Sequence, residues 1–197
     1  MGLVVQTAPT EEPVTVAECK THSRISTATD DTLIGYYITT ARKYAEDCLN
    51  RTLVSTTYDL TMDGFTDRHW YDRWAIYLPR PPLASITSIT YLDSAGDSQT
   101  WSSALYRVDT SSLPGRVTPA WGETYPSTRG VIGDVVVRYV AGYGAASTVP
   151  QQLKTAIKQL VGSMYDLLRE AHGMGASVEA LPFAGEMLMA TERVMTF

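Results

Sequence analysis

Residues Val135 to His172 read VVVRYV, AGYGAAST, then VPQQLKTAIKQLVGSMYDLLREAH. The opening β-branched run favours a strand. Gly142 and Gly144 interrupt it, and Pro150 stands where a helix accepts a first-turn proline. Leu153, Ile157, Leu160, Met164, Leu167, Leu168 and Ala171 then recur at spacings of three and four, with Lys154, Lys158, Asp166, Arg169 and Glu170 between them. This spacing predicts an amphipathic helix over 150–172, stopped by Gly173 and Gly175. Gly142, Gly144 and Pro150 form a hinge between strand and helix. The rest of the chain reads as material for these two elements to pack against, followed by a tail.

Upstream, residues 1–13 carry two prolines and few apolar anchors, and read as an extended arm. Thr15 followed three residues later by Glu18 is a capping-box signature and opens a short helix over 15–22. A polar connector ending in Asp30-Asp31 supplies a cap and negative charge for the next helix, 31–51. There Leu33, Ile34, Tyr37, Ile38, Ala41, Tyr44, Ala45, Cys48 and Leu49 form one face, and Arg42, Lys43, Glu46 and Asp47 the other. From about residue 53 to 140 the period shortens. Alternating segments at 53–63, 74–78, 86–92, 98–101, 106–108 and 134–140 are separated by Asp-Gly, Pro-rich and Ser-Ala-Gly turns, which predicts antiparallel strands. The fold class is therefore α+β: a small helical body with an antiparallel β insertion. It gives domain boundaries at 1–13, 14–172 and 173–197, the last an extended C-terminal tail.

The chain has 197 residues, 44% of them hydrophobic, and a formal net charge of −5. Charges of both signs are interspersed, so no basic patch signals nucleic-acid binding. No apolar run is long enough for a bilayer. The start lacks the basic and apolar regions of a signal peptide, which predicts a protein kept in the cytoplasm. Cys19 and Cys48 both fall in helical patterns and read as small apolar residues.

The usual chemical signatures do not assemble. His22, His69 and His172 have no second ligand at metal spacing. Asp63 with Asp67, and Asp93 with Asp97, read as turn residues, since neither sits in a calcium-loop pattern. The glycines of AGYGAA lack the spacing of a phosphate loop, and no serine sits in a G-x-S-x-G elbow. The expectation is no catalytic residue, no metal and no cofactor. Two stretches read instead as contact surfaces. His69, Trp70, Tyr71, Arg73 and Trp74 combine the residue types that anchor protein interfaces. The tail carries Leu181, Pro182, Phe183, Met187, Leu188, Met189, Arg193, Met195 and Phe197. Such an apolar segment must be covered, either by its own domain or by a partner.

The order and spacing of several pieces carry a family resemblance. They are VTVAECKTHSRI, DDTLIGYYITTARKYAEDCLNRTL, YDLTMDGF, IYLPRPPLASITSITYLDSAG, VRYVAGYG and VPQQLKTAIKQLVGSMYDLLRE, together spanning about residues 14–172. The chain resembles the head–tail connector (adaptor) proteins of long-tailed bacteriophages and phage-like gene transfer agents. The resemblance implies a structural virion protein without enzyme activity, forming a ring of twelve copies in the particle neck. Its partners would be the portal protein, reached by the C-terminal tail, and a tail-side neck or stopper protein. Double-stranded DNA would pass through the channel without sequence-specific binding, and no membrane would be involved. Assembly would take place in the bacterial host cytoplasm. The alternative is a DNA-packaging accessory protein that binds DNA directly.

Overall fold

The structure, a computed structural model, describes residues 1–65, 74–170 and 193–194, the side chains of 167–170 excepted. It is α+β, as the pattern predicts. The chain divides into two compact units, each discontinuous in sequence: a β unit of residues 1–9 and 55–143, and a helical unit of residues 10–54 and 144–197.

In the helical unit, α1 (Val16–Ser23) is opened by the expected capping box. The Thr15 hydroxyl accepts from the Glu18 amide, and the Glu18 carboxylate accepts from the Thr15 amide at 2.7 Å. These bonds, those to the backbone first, hold the Glu18 carboxyl below its ordinary pKa. α2 (Asp31–Leu49) ends because Asn50 adopts a left-handed conformation, φ 52°. Arg51 therefore lies beyond the helix that the sequence extended to it. α3 (Gln151–Glu170) packs against both α1 and α2. Its buried face is Leu153, Ala156, Ile157, Leu160, Val161 and Tyr165, while Met164 is only half-buried.

Three readings of α2 need correction. Leu33 is 41% exposed, so the apolar face begins at Ile34. Asp30 does not cap the helix with its side chain; its carboxylate accepts from the Tyr165 hydroxyl at 2.7 Å, linking α2 to α3. Arg42 and Glu46, placed on the solvent face by spacing, are buried. The Arg42 guanidinium lies between two carboxylates, at 2.7 Å from Glu12 and 2.8 Å from Glu46. The second oxygen of Glu46 accepts from the Leu53 amide. Burial opposes the charge on Arg42, but the two carboxylates outweigh it and raise its pKa.

The β unit holds a five-stranded antiparallel sheet in the order β1-β2-β8-β4-β5 and a three-stranded sheet in the order β3-β7-β6. The strands are β1 (Gly2–Thr7), β2 (Thr56–Met62), β3 (Ile76–Leu78), β4 (Leu83–Leu92), β5 (Ser98–Thr100), β6 (Tyr106–Asp109), β7 (Gly115–Pro119) and β8 (Val135–Ala141). The β-branched run Val135–Ala141 is thus the middle strand of the larger sheet. Along β8, Val135, Val137, Tyr139 and Ala141 are buried and alternate with Val136, Arg138 and Val140. The core adds Tyr58, Leu60, Met62, Phe65, Ile76, Leu83, Ile89 and Trp101. Gly115 has a steric role, since a Cβ there would stand 2.5 Å from the Leu83 side chain.

Residues 1–13, read above as one arm, divide between the units. Gly2–Thr7 pairs with β2. Glu11 accepts from the Ala146 amide and Glu12 from Arg42, both within the helical unit.

On the other face of β2 and β8, Arg138 and Asp59 form a two-pronged ion pair, each contact 2.7 Å. The Arg138 hydrogen bonds hold the Asp59 carboxyl below its ordinary range. A depressed carboxyl contributes stability above its unfolded pKa of about 4 and loses it as pH falls through the folded value. Melting followed by circular dichroism should therefore fall as pH drops below about 4. Asp59→Asn should melt lower than the parent at neutral pH and lose less on acidification. Identical acid profiles for the two proteins would remove Asp59 from this account.

Candidate assembly surfaces

Among the described residues, no group of three or more His, Cys, Asp or Glu could hold a metal ion. No described helix is long and apolar enough to cross a membrane. Cys19 is buried and free, and burial pushes its thiol up to about 11, so it is not a thiolate at neutral pH. Cys48 is free and half-buried. Asp93 caps its own turn, accepting from the amides of Ala95, Gly96 and Asp97. The described residues present two open surfaces.

The first surface is aromatic. Of the expected contact loop, His69, Trp70, Tyr71 and Arg73 lie outside the described residues, and Trp74 is 77% exposed. Beside it, the loop that holds two prolines and three glycines over residues 118–133 supplies Trp121, 96% exposed. Tyr125 joins Trp74 to the core. Its hydroxyl donates to the Trp74 carbonyl at 2.8 Å, and its ring stacks on Phe65 at 5.3 Å. With Arg107, Thr118 and Pro119 these residues line an open groove of about 860 Å³. The signal for Trp121 was available: a tryptophan between Ala120 and Gly122, two residues after a proline, has no alternating neighbours to bury it.

The second surface is β1. It lies at the end of the five-stranded sheet and all six of its residues are exposed. Its extended shape follows from the sequence, but its place beside residues 57–61 does not, because that pairing is non-local.

The expected docking tail falls largely outside the described residues, namely Leu181, Pro182, Phe183, Met187, Leu188, Met189, Met195 and Phe197. Arg193 is exposed, and the Val194 amide donates to the carbonyl of Leu49, the last residue of α2, at 3.0 Å. At the chain's return from sheet to helix, Gly142 (φ 116°) and Gly144 (φ 107°) occupy backbone conformations that favour glycine. Pro150 immediately precedes α3, and its carbonyl accepts from the Leu153 and Lys154 amides.

Residues 13–90 match the family model described as Phage gp6-like head-tail connector protein. The chain resembles the head–tail connectors. No curated protein matches it. Three solved structures superpose along all of it, each at 24% identity and over 97% of the other chain. They are the neck of an empty gene transfer agent (GTA) particle computed with C6 symmetry, at TM-score 0.78, and the virion of a native GTA particle, at 0.77. The third is the neck of a native GTA particle computed with C12 symmetry, at 0.75. At that identity the likeness is one of fold. It covers the whole chain, whereas the family match stops within β4.

Proposed function

We propose that this chain is a structural adaptor of a particle neck. Twelve copies form a ring between the portal and the tail, and DNA passes through the central channel. The observation that carries this reading is the superposition of the entire chain on chains of GTA necks, one of them computed with C12 symmetry. The family match over residues 13–90 supports it independently. The role requires no catalysis. It requires two complementary faces for ring closure and further surfaces for the portal and the tail-side protein.

The apolar tail docks on the portal through Leu181, Pro182, Phe183, Met187, Leu188, Met189, Met195 and Phe197. The groove of Trp74 and Trp121, together with the loop from His69 to Arg73, meets either a neighbouring copy or the tail-side partner. Gly142, Gly144 and Pro150 hinge the return from sheet to helix. Passage of DNA calls for a lining that does not grip phosphates. With 21 acidic against 16 basic residues, the subunit offers little of the cationic surface that counterion release would reward. The particle is assembled in the host cytoplasm.

Deletion of residues 177–197 tests the docking claim. The shortened protein should keep its circular-dichroism spectrum, and its retention by portal in a pull-down should fall about 100-fold, since the hot-spot residues go with it. Normal retention would end the claim. A filter-binding titration with duplex DNA at low salt addresses the accessory-protein alternative. Tight, salt-sensitive binding by the isolated subunit would favour it.

A further inference from the structure

The strand β1 reads GLVVQT, with no charge and no proline. Along one edge it pairs with β2; along the other, no described strand lies beside it. Both faces are also open, with Val4 60% and Val5 52% exposed. An edge of this kind is a template for another strand. Proteins that must keep such an edge free blunt it with lysine, proline, a bulge or short length. The opposite end of the same sheet is blunted in that way, since β5 has only three residues, all polar. In β1 the sole interruption is a register shift between Val5 and Thr7, at its far end.

We propose that β1 is an assembly strand, adding to a strand edge of the neighbouring copy of this chain. The proposal rests on the ring reading given above. A ring built by one repeated rotation needs a donor surface and a different acceptor surface on every subunit. The β unit has both, with β1 as donor and the outer edges of β3 and β6 in the smaller sheet as acceptors. A neutral apolar strand carries nothing that selects a charged ligand or nucleic acid. Main-chain hydrogen bonds would supply the affinity, and the alternating side chains would set the register.

Hydrogen exchange read by mass spectrometry, on the dilute subunit and on the assembled neck, tests this. In an antiparallel strand every second amide points to the outer edge, so alternate amides from Leu3 to Gln6 should slow about tenfold or more on assembly. Val5→Lys adds charge to a side chain that is already exposed. It should leave the subunit's melting unchanged and cut the yield of rings about tenfold. Unchanged exchange at β1, or normal rings from Val5→Lys, would overturn strand addition while leaving the ring intact. Disulfide dimers from oxidised Val4→Cys would overturn it too, showing β1 paired with itself. Native necks without any ring of this chain would instead remove the adaptor reading, and this inference with it.

Discussion

Tyr139→Ala is expected to cost the β unit about 4 kcal/mol, a large share of the 5–15 kcal/mol that holds an ordinary domain together. Tyr139 lies on the middle strand of the larger sheet and is fully buried. Its ring stacks on Tyr58 at 5.7 Å, and its hydroxyl donates to the Pro79 carbonyl at 2.8 Å. Burial also pushes the phenol well above its ordinary pKa, so it stays a donor at any working pH. Alanine removes the ring from the buried face of the sheet, where it lies against Tyr58, and leaves a void in the core. Tyr139→Phe separates the contributions. It keeps the packing and removes one partner from a part-buried carbonyl, at a cost of about 1 kcal/mol. Urea unfolding should show a large shift in midpoint for the first variant and a small one for the second. Equal shifts would mean that the hydroxyl, not the ring, is what the site depends on.

The second large effect concerns charge. Arg42→Ala is expected to destabilise the helical unit by about 3–5 kcal/mol at neutral pH. The Arg42 side chain is 8% exposed and that of Glu46 is 11%. Removing the guanidinium leaves the Glu46 and Glu12 carboxylates facing one another across the space it filled. Glu46 cannot turn away freely, because it also accepts from the Leu53 amide. The informative comparison is the pair Arg42→Met with Glu46→Gln. Removing charge from both sides should recover most of the loss, since the penalty comes from an unpaired buried ion more than from the bond itself. Additive losses in the double variant would contradict that explanation.

These two sites show where sequence pattern is a reliable guide. Tyr139 sits in an alternating β-branched run, and alternation alone assigns it to the core. The helical stripe of Ile34, Ile38, Ala41, Ala45 and Leu49 follows from spacing in the same way. Arg42 and Glu46 do not, because periodicity reports hydrophobicity and not partners. The second carboxylate on Arg42, Glu12, comes from 30 residues upstream of it. β1 has the same character, since its extended shape is legible from residues 1–13 but its place beside β2 is not. Of the surfaces that the sequence nominated, Trp74 alone of the contact loop is described, and Trp121 joins it from a loop that carried only composition to mark it. The functional reading depended on the order of many weak segments, and no motif in the chain would have carried it alone.

The division into two units has a consequence for how the molecule is made. The backbone crosses from one unit to the other three times, after Pro9, after Val54 and after Tyr143. Arg138 meets Asp59 across 79 residues of chain, and Glu11 meets Ala146 across 135. Neither unit can close while the ribosome is still early in the message. β1 must wait for β2, the larger sheet must wait for β8, and the helical unit must wait for α3. Loop closure of this length is slow and its entropic cost falls before the contacts reward it. Folding of this subunit is therefore expected to begin in earnest only when about four-fifths of the chain has been synthesised. Until then β2 and β4 lack the apolar strand that lies between them in the sheet.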